Sequence, residues 1–263
     1  AQVGNGLGTD GVAPNIPLLP ICITKSGYST TALLIQAIDC AIEQGADVIN
    51  LSIGGKTGGA SMREACQRAL DAGIILVAAA GNYKAGEYKR STTYMYPAGF
   101  DGVAAVSACM QAGDQVVFDE SYSYFNDQIT VAAPGTAIQS LYPGGGTAVK
   151  EGTSFAAPVV TAMAAMAKQR SDAITPEAFL ELLCSSALDL GEPGYDLYYG
   201  YGLADIGAFV EALDQQYPIT FHLGGADAAF GAETEVPQSY VLGQEDLPLP
   251  EEGKAHARAV YDA

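Results

Sequence analysis

The sequence predicts an α/β fold in which a mainly parallel central sheet is covered by helices on both faces. Over the first two hundred residues, short apolar runs of β-branched and small residues alternate with helical patterns, which is typical of βαβ units. Of the 263 residues, 49% are apolar and only 16% are charged, as expected for a chain with a well-buried core. We expect a small β-type appendage after this body.

Five segments predict the strands of the sheet. Each is short, apolar and bounded by glycine, proline or asparagine: residues 18–24, 48–53, 74–80, 103–108 and 129–133. Between the first two, apolar residues recur with helical spacing at Leu34, Ile38 and Ala41, and Gly45 provides a stop. A helix is therefore predicted there.

Three further helices are predicted. One covers residues 61–72 and ends at Gly73, and one covers residues 153–170, where apolar residues on nearly all sides indicate burial. A fourth starts with Thr175 as N-cap and Pro176 in the first helical position, where its missing N–H costs nothing.

The character of the chain changes near residue 213. Residues 214–263 hold nine acidic and two basic residues and four prolines, with little helical periodicity. We therefore predict two parts: a main domain at residues 1–213 and an acidic, β-rich appendage, or part of a surface-protein repeat, at residues 214–263.

Composition excludes several classes of function. The net charge of −18 argues against nucleic acid as a partner, because a polyanion would be repelled. No apolar run approaches the roughly 20 residues of a membrane-spanning helix.

The five cysteines lack the spacing of a zinc or redox motif, which predicts buried free thiols: Cys22, Cys40, Cys66, Cys109 and Cys184.

The segment Gly-Thr-Ser-Phe-Ala-Ala-Pro at residues 152–158 places Ser154 at the start of an apolar helix. The free amides and positive dipole end of that helix would stabilise negative charge that develops beside the hydroxyl during acyl transfer. Ordinary helix capping is the alternative reading.

Two predicted strands also end in informative residues. The strand at 74–80 runs into Gly81 and Asn82, whose amide is able to donate to an oxyanion at the carboxyl edge of a parallel sheet. The strand at 48–53 runs into Gly54 and Gly55, where an extended peptide has room to pair with the backbone. Each feature alone is also compatible with a turn.

Together, these segments resemble the subtilisin-like serine proteases, or subtilases, over residues 1–213. The resemblance includes the Asp-Val-Ile-Asn strand at 47–50, the Ala-Ala-Ala-Gly-Asn strand at 78–82, Tyr-Pro-Ala at 96–98, Ala-Ala-Pro-Gly-Thr at 132–136 and Tyr-Gly-Tyr-Gly-Leu at 199–203. It implies a three-layer subtilisin-like fold and a serine endopeptidase that acts on polypeptides.

The resemblance also implies site residues. Ser154 would be the nucleophile, and Asn82 with the Ser154 amide would form the oxyanion hole. One edge for the substrate backbone would come from Ser52, Ile53 and Gly54, and the other from the region around Gly27. The primary specificity pocket would be lined by Ala80, Gly81 and Met95. Met95 stands where the family often has a small residue, so we expect a shallow apolar pocket.

The resemblance implies a general base and an orienting carboxylate that precede the serine. The only histidines, His222 and His256, lie beyond the matched part, and Ala1 aligns just after the family's catalytic histidine. We therefore expect an incomplete chain, nearly inactive alone, with Asp and His on a preceding segment, either continuous with this chain in the whole protein or present as a separate chain. The alternatives are a degenerate subtilase that only binds peptides or partners, and a ligase that passes the acyl group to an amine.

No cofactor is expected for the chemistry. The loop at residues 3–10, from Val3 to Asp10, resembles the family's calcium loop, although a glycine-rich connector explains it equally well. No other metal site is expected. The glycines at 144–146 and at 200 and 202 are interpreted as turn residues and not as phosphate loops. The acidic surface and the resemblance indicate a secreted or cell-surface protein.

Overall fold

The computed structural model describes residues 8–24 and 29–214, and beyond them the backbone of four short strands. Five helices are described: α1 Thr31–Glu43, α2 Ala60–Asp71, α3 Thr153–Arg170, α4 Pro176–Ser185 and α5 Ile206–Leu213. The strands are β1 Val48–Leu51, β2 Ile75–Ala79, β3 Val103–Ala112, β4 Gln115–Phe118, β5 Val131–Pro134, β6 Ile138–Tyr142, β7 Gly146–Lys150, β8 Gln216–Pro218, β9 Thr220–Leu223, β10 Ser239–Val241 and β11 Ala257–Val260.

The central sheet has the order β1-β2-β3, with β5 on β3, and all of these neighbours are parallel. The far end of β3 pairs antiparallel with β4. Because the core strands are parallel, their carboxyl ends meet along one edge of the sheet, which is where open α/β sheets carry their sites.

The two faces of the sheet are covered by different helices. Along β2, Ile75, Val77 and Ala79 belong to the core formed with α3, α4 and α5, whereas Leu76 and Ala78 belong to the core formed with α1 and α2. This alternation follows from the two-residue period of a strand. The predicted three-layer α/β architecture is confirmed.

The helix predictions are confirmed in position and in their starting signals. Helix α3 has the predicted bounds, and small and apolar residues bury most of its length against the sheet. The Thr175 side chain caps α4 by accepting from the Ala178 amide, and Thr30 caps α1 in the same way on Leu33. Helix α5, capped by Asp205 on the Ala208 amide, was not predicted from the sequence.

The predicted strand at residues 18–24 is wrong. These residues carry no strand, and residues 16–23 make no backbone-to-backbone hydrogen bond with the described chain. Leu18 is 84% exposed and Leu19 50% exposed, although both are apolar. The composition is that of a buried strand, but no partner strand lies beside it among the described residues.

The cysteine prediction needs a partial correction. All five cysteines are free, as predicted, but only Cys66 and Cys109 are buried, while Cys22 is exposed and Cys40 and Cys184 are half-buried. Cys22 lies in the segment that carries no strand, which explains why the prediction that its side chain is buried is wrong.

The glycines at 200 and 202 are structural, in agreement with their interpretation as turn residues. A Cβ atom on Gly200 would lie 2.3 Å from the Thr130 carbonyl oxygen, and one on Gly202 would lie 2.3 Å from the Leu188 carbonyl oxygen. Both residues have positive φ angles, of 63° and 133°. Only glycine fits this close approach of three backbone segments.

Beyond residue 214, β8 pairs antiparallel with β10, and β9 with β11. Within the described chain, no helix has the length and apolar character needed to cross a bilayer.

Candidate active site

Three elements bring the predicted site residues together. Ser52 directly follows β1, Asn82 lies three residues after β2, and Ser154 is in the first turn of α3. Strands β1 and β2 are parallel neighbours, so their carboxyl ends lie side by side, and α3 packs across both. The nucleophile, the amide donor and one substrate edge of the prediction therefore share one site.

Ser154 is partly exposed, between the buried residues Thr153 and Ala156. Its hydroxyl donates to the Ser52 carbonyl oxygen at 3.3 Å. Gly152, the N-cap, provides no side chain, so the amides at the start of α3 are not capped in the usual way. The Ser154 amide makes none of the described hydrogen bonds and is left to serve an external acceptor.

The Asn82 side chain is oriented by Thr153. Its Oδ1 atom accepts from the Thr153 backbone amide and from the Thr153 hydroxyl, both at 3.0 Å, and that hydroxyl accepts from the Gly81 amide at 3.1 Å. Because Oδ1 is fully engaged, the Nδ2 donor of Asn82 faces the other way and stays available. One side-chain amide and one backbone amide without described partners are the donors that the predicted oxyanion hole requires.

A proline fixes the link between β1 and α3. Pro158 lies inside α3 and has no N–H, so the carbonyl of Ser154, four residues earlier, lacks its helical partner. The Ser52 hydroxyl donates to that carbonyl at 2.9 Å. Ser52 and Ser154 thus exchange two hydrogen bonds, which holds the end of β1 against the first turn of α3.

Comparison with known proteins identifies the family. Residues 1–202 match the model of the subtilase family of S8 peptidases. The chain is 34% identical to subtilisin DY of Bacillus licheniformis over 209 residues, which is 79% of this chain and 73% of that protein. It is also 34% identical to the minor extracellular protease Epr of Bacillus subtilis, over 81% of this chain and 32% of Epr. The chain belongs to the subtilase family of serine proteases.

Solved structures agree with this assignment. A Pseudoalteromonas arctica protease superposes with a TM-score of 0.69 at 28% identity, over 81% of this chain and 67% of that one. Fervidolysin of Fervidobacterium pennivorans, described as a keratinolytic enzyme related to subtilisin, gives a TM-score of 0.64 at 28% identity. That match covers 76% of this chain and 32% of fervidolysin.

In this subtilase the predicted specificity pocket is filled by one side chain. A Cβ atom on Gly81 would lie 2.4 Å from Met95 Cγ, and one on Gly54 would lie 3.4 Å from Met95 Cε. Met95 therefore packs between Gly81, which was predicted to line the pocket, and Gly54, which was predicted to lie on the substrate edge, and it packs against the cluster that contains the buried Ala80. Ile53, on the same segment as Gly54, is half-buried.

Three of the cysteines, Cys66, Cys109 and Cys184, do not compete with Ser154 as nucleophiles. Burial raises the pKa of Cys66 and Cys184 to about 11 and that of Cys109 to about 12. At neutral pH these thiols are protonated, and a thiol attacks only as its thiolate.

Several predicted residues lie outside the described part of the chain. They are Gly27 with its neighbours on the second substrate edge, His256, and most of the loop at residues 3–10, while of His222 only the backbone, in β9, is described. The calcium prediction therefore stays a prediction. Where the structure does describe the chain, no group of three or more His, Cys, Asp or Glu residues comes together to hold a metal ion.

Sequence reasoning missed one residue of the site and one role. Thr153 orients Asn82, and Ser52, predicted only as part of the substrate edge, also satisfies the Ser154 carbonyl with its hydroxyl. The second role had a signal in the sequence, because a proline four residues after Ser154 removes the amide that would serve this carbonyl. The role of Thr153 depends on a contact across 71 residues, which no local pattern reports.

Proposed function

We propose that this chain provides the nucleophile and the oxyanion hole of a serine endopeptidase, which cleaves peptide bonds through an acyl-enzyme on Ser154. The geometry of Asn82 supports this most directly: Thr153 holds its Oδ1 atom and leaves Nδ2 free, and a Cβ atom on Gly152 would lie 3.1 Å from Nδ2 and 3.8 Å from the Ser154 amide nitrogen. As Ser154 Oγ attacks a carbonyl carbon, the negative charge that develops on the oxygen would be received by these two donors.

The attack also needs a base, and the Ser154 hydroxyl faces none among the described side chains. Its described partner is the Ser52 carbonyl oxygen, which is far too weak a base to take the proton. We propose that a histidine, oriented by a carboxylate, reaches Ser154 from a segment outside the described residues. Without that base, turnover should fall by on the order of 10⁶-fold.

A cleft beside β1 is the place where we propose that this segment docks. The cleft has a volume of about 660 Å³ and lies between residues 16–23 on one side and β1 on the other. Its remaining walls come from α1, through Leu34, Ala37 and Ile38, and from α3, through Thr161 and Ala165.

The walls of the cleft suit an added β-strand. Strand β1 pairs only with β2 among the described strands, so its outer edge offers free backbone groups. Residues 16–23 offer unpaired backbone and exposed apolar side chains on the opposite wall. One strand of about five or six residues between them would pair with both walls and bury both apolar surfaces.

A reconstitution assay tests the proposal. The chain is incubated with an unstructured protein substrate, alone and after co-expression with the upstream segment that carries the Asp and His. We expect hydrolysis only in the combined sample, and none when Ser154→Ala is introduced. Full activity of the chain alone would contradict the need for a segment, and binding without cleavage in the combined sample would favour the degenerate subtilase.

We propose further that Met95 restricts the pocket to small P1 side chains, because it occupies the space between Gly54 and Gly81. Met95→Gly should raise kcat/KM for P1 leucine or phenylalanine relative to P1 alanine by about 10-fold or more. Met95→Leu, which keeps the volume, is the matched control and should retain the preference for alanine. An unchanged preference in Met95→Gly would contradict this assignment.

We also propose that the protein acts outside the cell, at the surface or after secretion. The relative Epr is named an extracellular protease, and the net charge of −18 suits a soluble, solvated surface. Fractionation of a culture of the source cells, with an antibody to this chain, should find it outside the cytoplasm.

A further inference from the structure

A buried carboxylate lies close to the candidate active site. Asp119 follows β4, is only 3% exposed, and takes part in none of the three ion pairs found among the described residues. Its Oδ1 atom accepts from the Ser121 backbone amide at 2.9 Å and from the Ser121 hydroxyl, and its Oδ2 atom accepts from the Thr136 hydroxyl at 2.5 Å. A buried charge is tolerated only when it is hydrogen-bonded in this way.

The hydrogen bonds continue from Asp119 toward α3 in a fixed order. An ionised carboxylate only accepts, so the Thr136 hydroxyl must donate to Asp119. The Tyr122 hydroxyl lies 2.8 Å from Thr136 Oγ1. Because the Thr136 proton is already committed to Asp119, Tyr122 donates to Thr136, and the Tyr122 oxygen is left as an acceptor.

The Tyr122 hydroxyl lies against Gly135, which in turn contacts Gly152, the residue that precedes the nucleophile's helix. A Cβ atom on Gly135 would lie 3.1 Å from the Tyr122 hydroxyl and 3.0 Å from the Gly152 carbonyl oxygen, which shows how tightly the three groups meet. The Gly152 amide donates to the Gly135 carbonyl at 2.9 Å. Burial raises the pKa of Tyr122.

Gly152 in turn lies behind both oxyanion donors. It is the N-cap of α3, two residues before Ser154, and a Cβ atom on it would lie 3.1 Å from Asn82 Nδ2. A small shift of Gly152 would therefore move the Ser154 amide and the Asn82 amide together.

We propose that Asp119 is a positioning residue for the oxyanion hole, acting through Thr136 and Tyr122 on Gly135, whose carbonyl accepts from the Gly152 amide. This inference rests on the proposed role of Ser154 and adds the residues that hold its amide in place. Stability of the fold does not by itself require a carboxylate here, because an apolar side chain at position 119 would avoid the cost of desolvating a charge. What the carboxylate provides is a single donor order from Tyr122 through Thr136 to Asp119, in which each hydrogen bond polarises the next.

The test uses Tyr122→Phe and Thr136→Val in the reconstituted protease, with turnover divided by the concentration of active sites from burst titration. We expect kcat per active site to fall about 10-fold, because one hydrogen bond of the series is lost, while KM stays within about 2-fold. Thr136→Ser keeps the hydroxyl and should restore the wild-type kcat. The double variant should lose no more than either single variant, since both break one series.

Tyr199→Phe is the matched control. The Tyr199 hydroxyl accepts from the Phe118 amide at 2.7 Å and makes no described contact with Gly152. It should lower stability but leave kcat per active site unchanged. Amide hydrogen exchange of residues 150–156 in the chain alone should be faster in Tyr122→Phe and unchanged in Tyr199→Phe, a readout that needs no general base.

The inference is overturned if Tyr122→Phe and Thr136→Val lower only the melting temperature, with kcat per active site and exchange at residues 150–156 unchanged. It is also overturned if Thr136→Ser fails as Thr136→Val does. Failure of the proposed function is a separate result: activity would then persist in Ser154→Ala, whatever the variants at Thr136 and Tyr122 show.

Discussion

At the scale of single residues, Gly152 is the position where backbone conformation and catalytic geometry depend on each other most. Its φ of 137° is a conformation that side chains rarely adopt, and a Cβ atom there would lie 3.1 Å from Asn82 Nδ2. Gly144 has a comparable φ of 95°, but a Cβ atom on it would meet nothing within 4 Å. Comparing alanine substitutions at the two glycines therefore distinguishes the effect of backbone strain from the effect of displacing the site.

Gly152→Ala and Gly144→Ala should each lower the free energy of unfolding by about 1–3 kcal/mol, as expected for strained backbone. Only Gly152→Ala should also slow the reaction at Ser154, because the new methyl group displaces the Asn82 amide. Urea unfolding measures the first effect and turnover of the reconstituted protease the second. Equal turnover in the two variants would show that Gly152 does not control the position of Asn82.

The sequence predicted the positions of the candidate residues Ser154 and Asn82, but not the residues that hold them. Their positions were predictable because a helix start and a strand end are visible locally, and their proposed roles come from the family resemblance. Thr153 and Asp119 were not assigned roles, because their partners Asn82 and Thr136 lie 71 and 17 residues away and meet them only in the folded chain.

At the scale of elements, β1 and α3 are joined because a side chain at the end of β1 donates to a helix carbonyl that has no helical donor. Pro158 leaves the Ser154 carbonyl without a helical donor, and the Ser52 hydroxyl supplies one at 2.9 Å. Such a buried acceptor costs about 1–3 kcal/mol when its partner is removed. The stability of the site is therefore coupled to the end of β1.

Ser52→Ala should lower the free energy of unfolding by about 1–3 kcal/mol, measured by urea denaturation. Ser186→Ala is the matched control: its hydroxyl donates to the Leu182 carbonyl at 2.8 Å, but that carbonyl also accepts from the Ser186 backbone amide. Ser186→Ala should thus cost less, about 0.5 kcal/mol. A smaller loss in Ser52→Ala than in Ser186→Ala would refute the role given to Pro158.

The elements also show where a local pattern stops being informative. Strands β1, β2, β3 and β5 were predicted correctly because each has a described neighbour in the sheet, and helix α4 because its cap and proline are sequence signals. The strand predicted at 18–24 has the same composition but no described neighbour to pair with. Composition shows that a segment is able to pair, whereas pairing itself depends on a second segment.

At the scale of the whole molecule, the net charge of −18 leaves few cations to pair with carboxylates, and Asp119 is stabilised instead by hydrogen bonds. Burial raises the pKa of Asp119, but hydrogen bonds from Ser121 and Thr136 together lower it by more, so the pKa lies below the ordinary value. A carboxyl group with a lowered folded-state pKa stabilises the fold above its unfolded pKa, about 4, and loses that contribution as the pH falls through the folded value.

The free energy of unfolding of the wild type should therefore exceed that of Asp119→Asn by about 1–3 kcal/mol at pH 7, and this difference should shrink below about pH 4. Urea unfolding at pH 7, 5 and 3.5 measures it. Asp101→Asn, at an exposed turn, is the control and should stay within about 0.5 kcal/mol of the wild type. A difference that is constant or grows with acidity would contradict the ionised state of Asp119.

Covalent labelling tests most directly whether Ser154 is the nucleophile and whether Asn82 receives the negative charge that develops during its attack. A fluorophosphonate, whose fluoride is displaced by the serine oxygen, is added to the reconstituted protease and the adduct is located by mass spectrometry. We predict one adduct, on Ser154, that is absent in Ser154→Ala and forms about 10²- to 10³-fold more slowly in Asn82→Ala. An adduct on another residue, or labelling that Asn82→Ala leaves unchanged, would contradict the account.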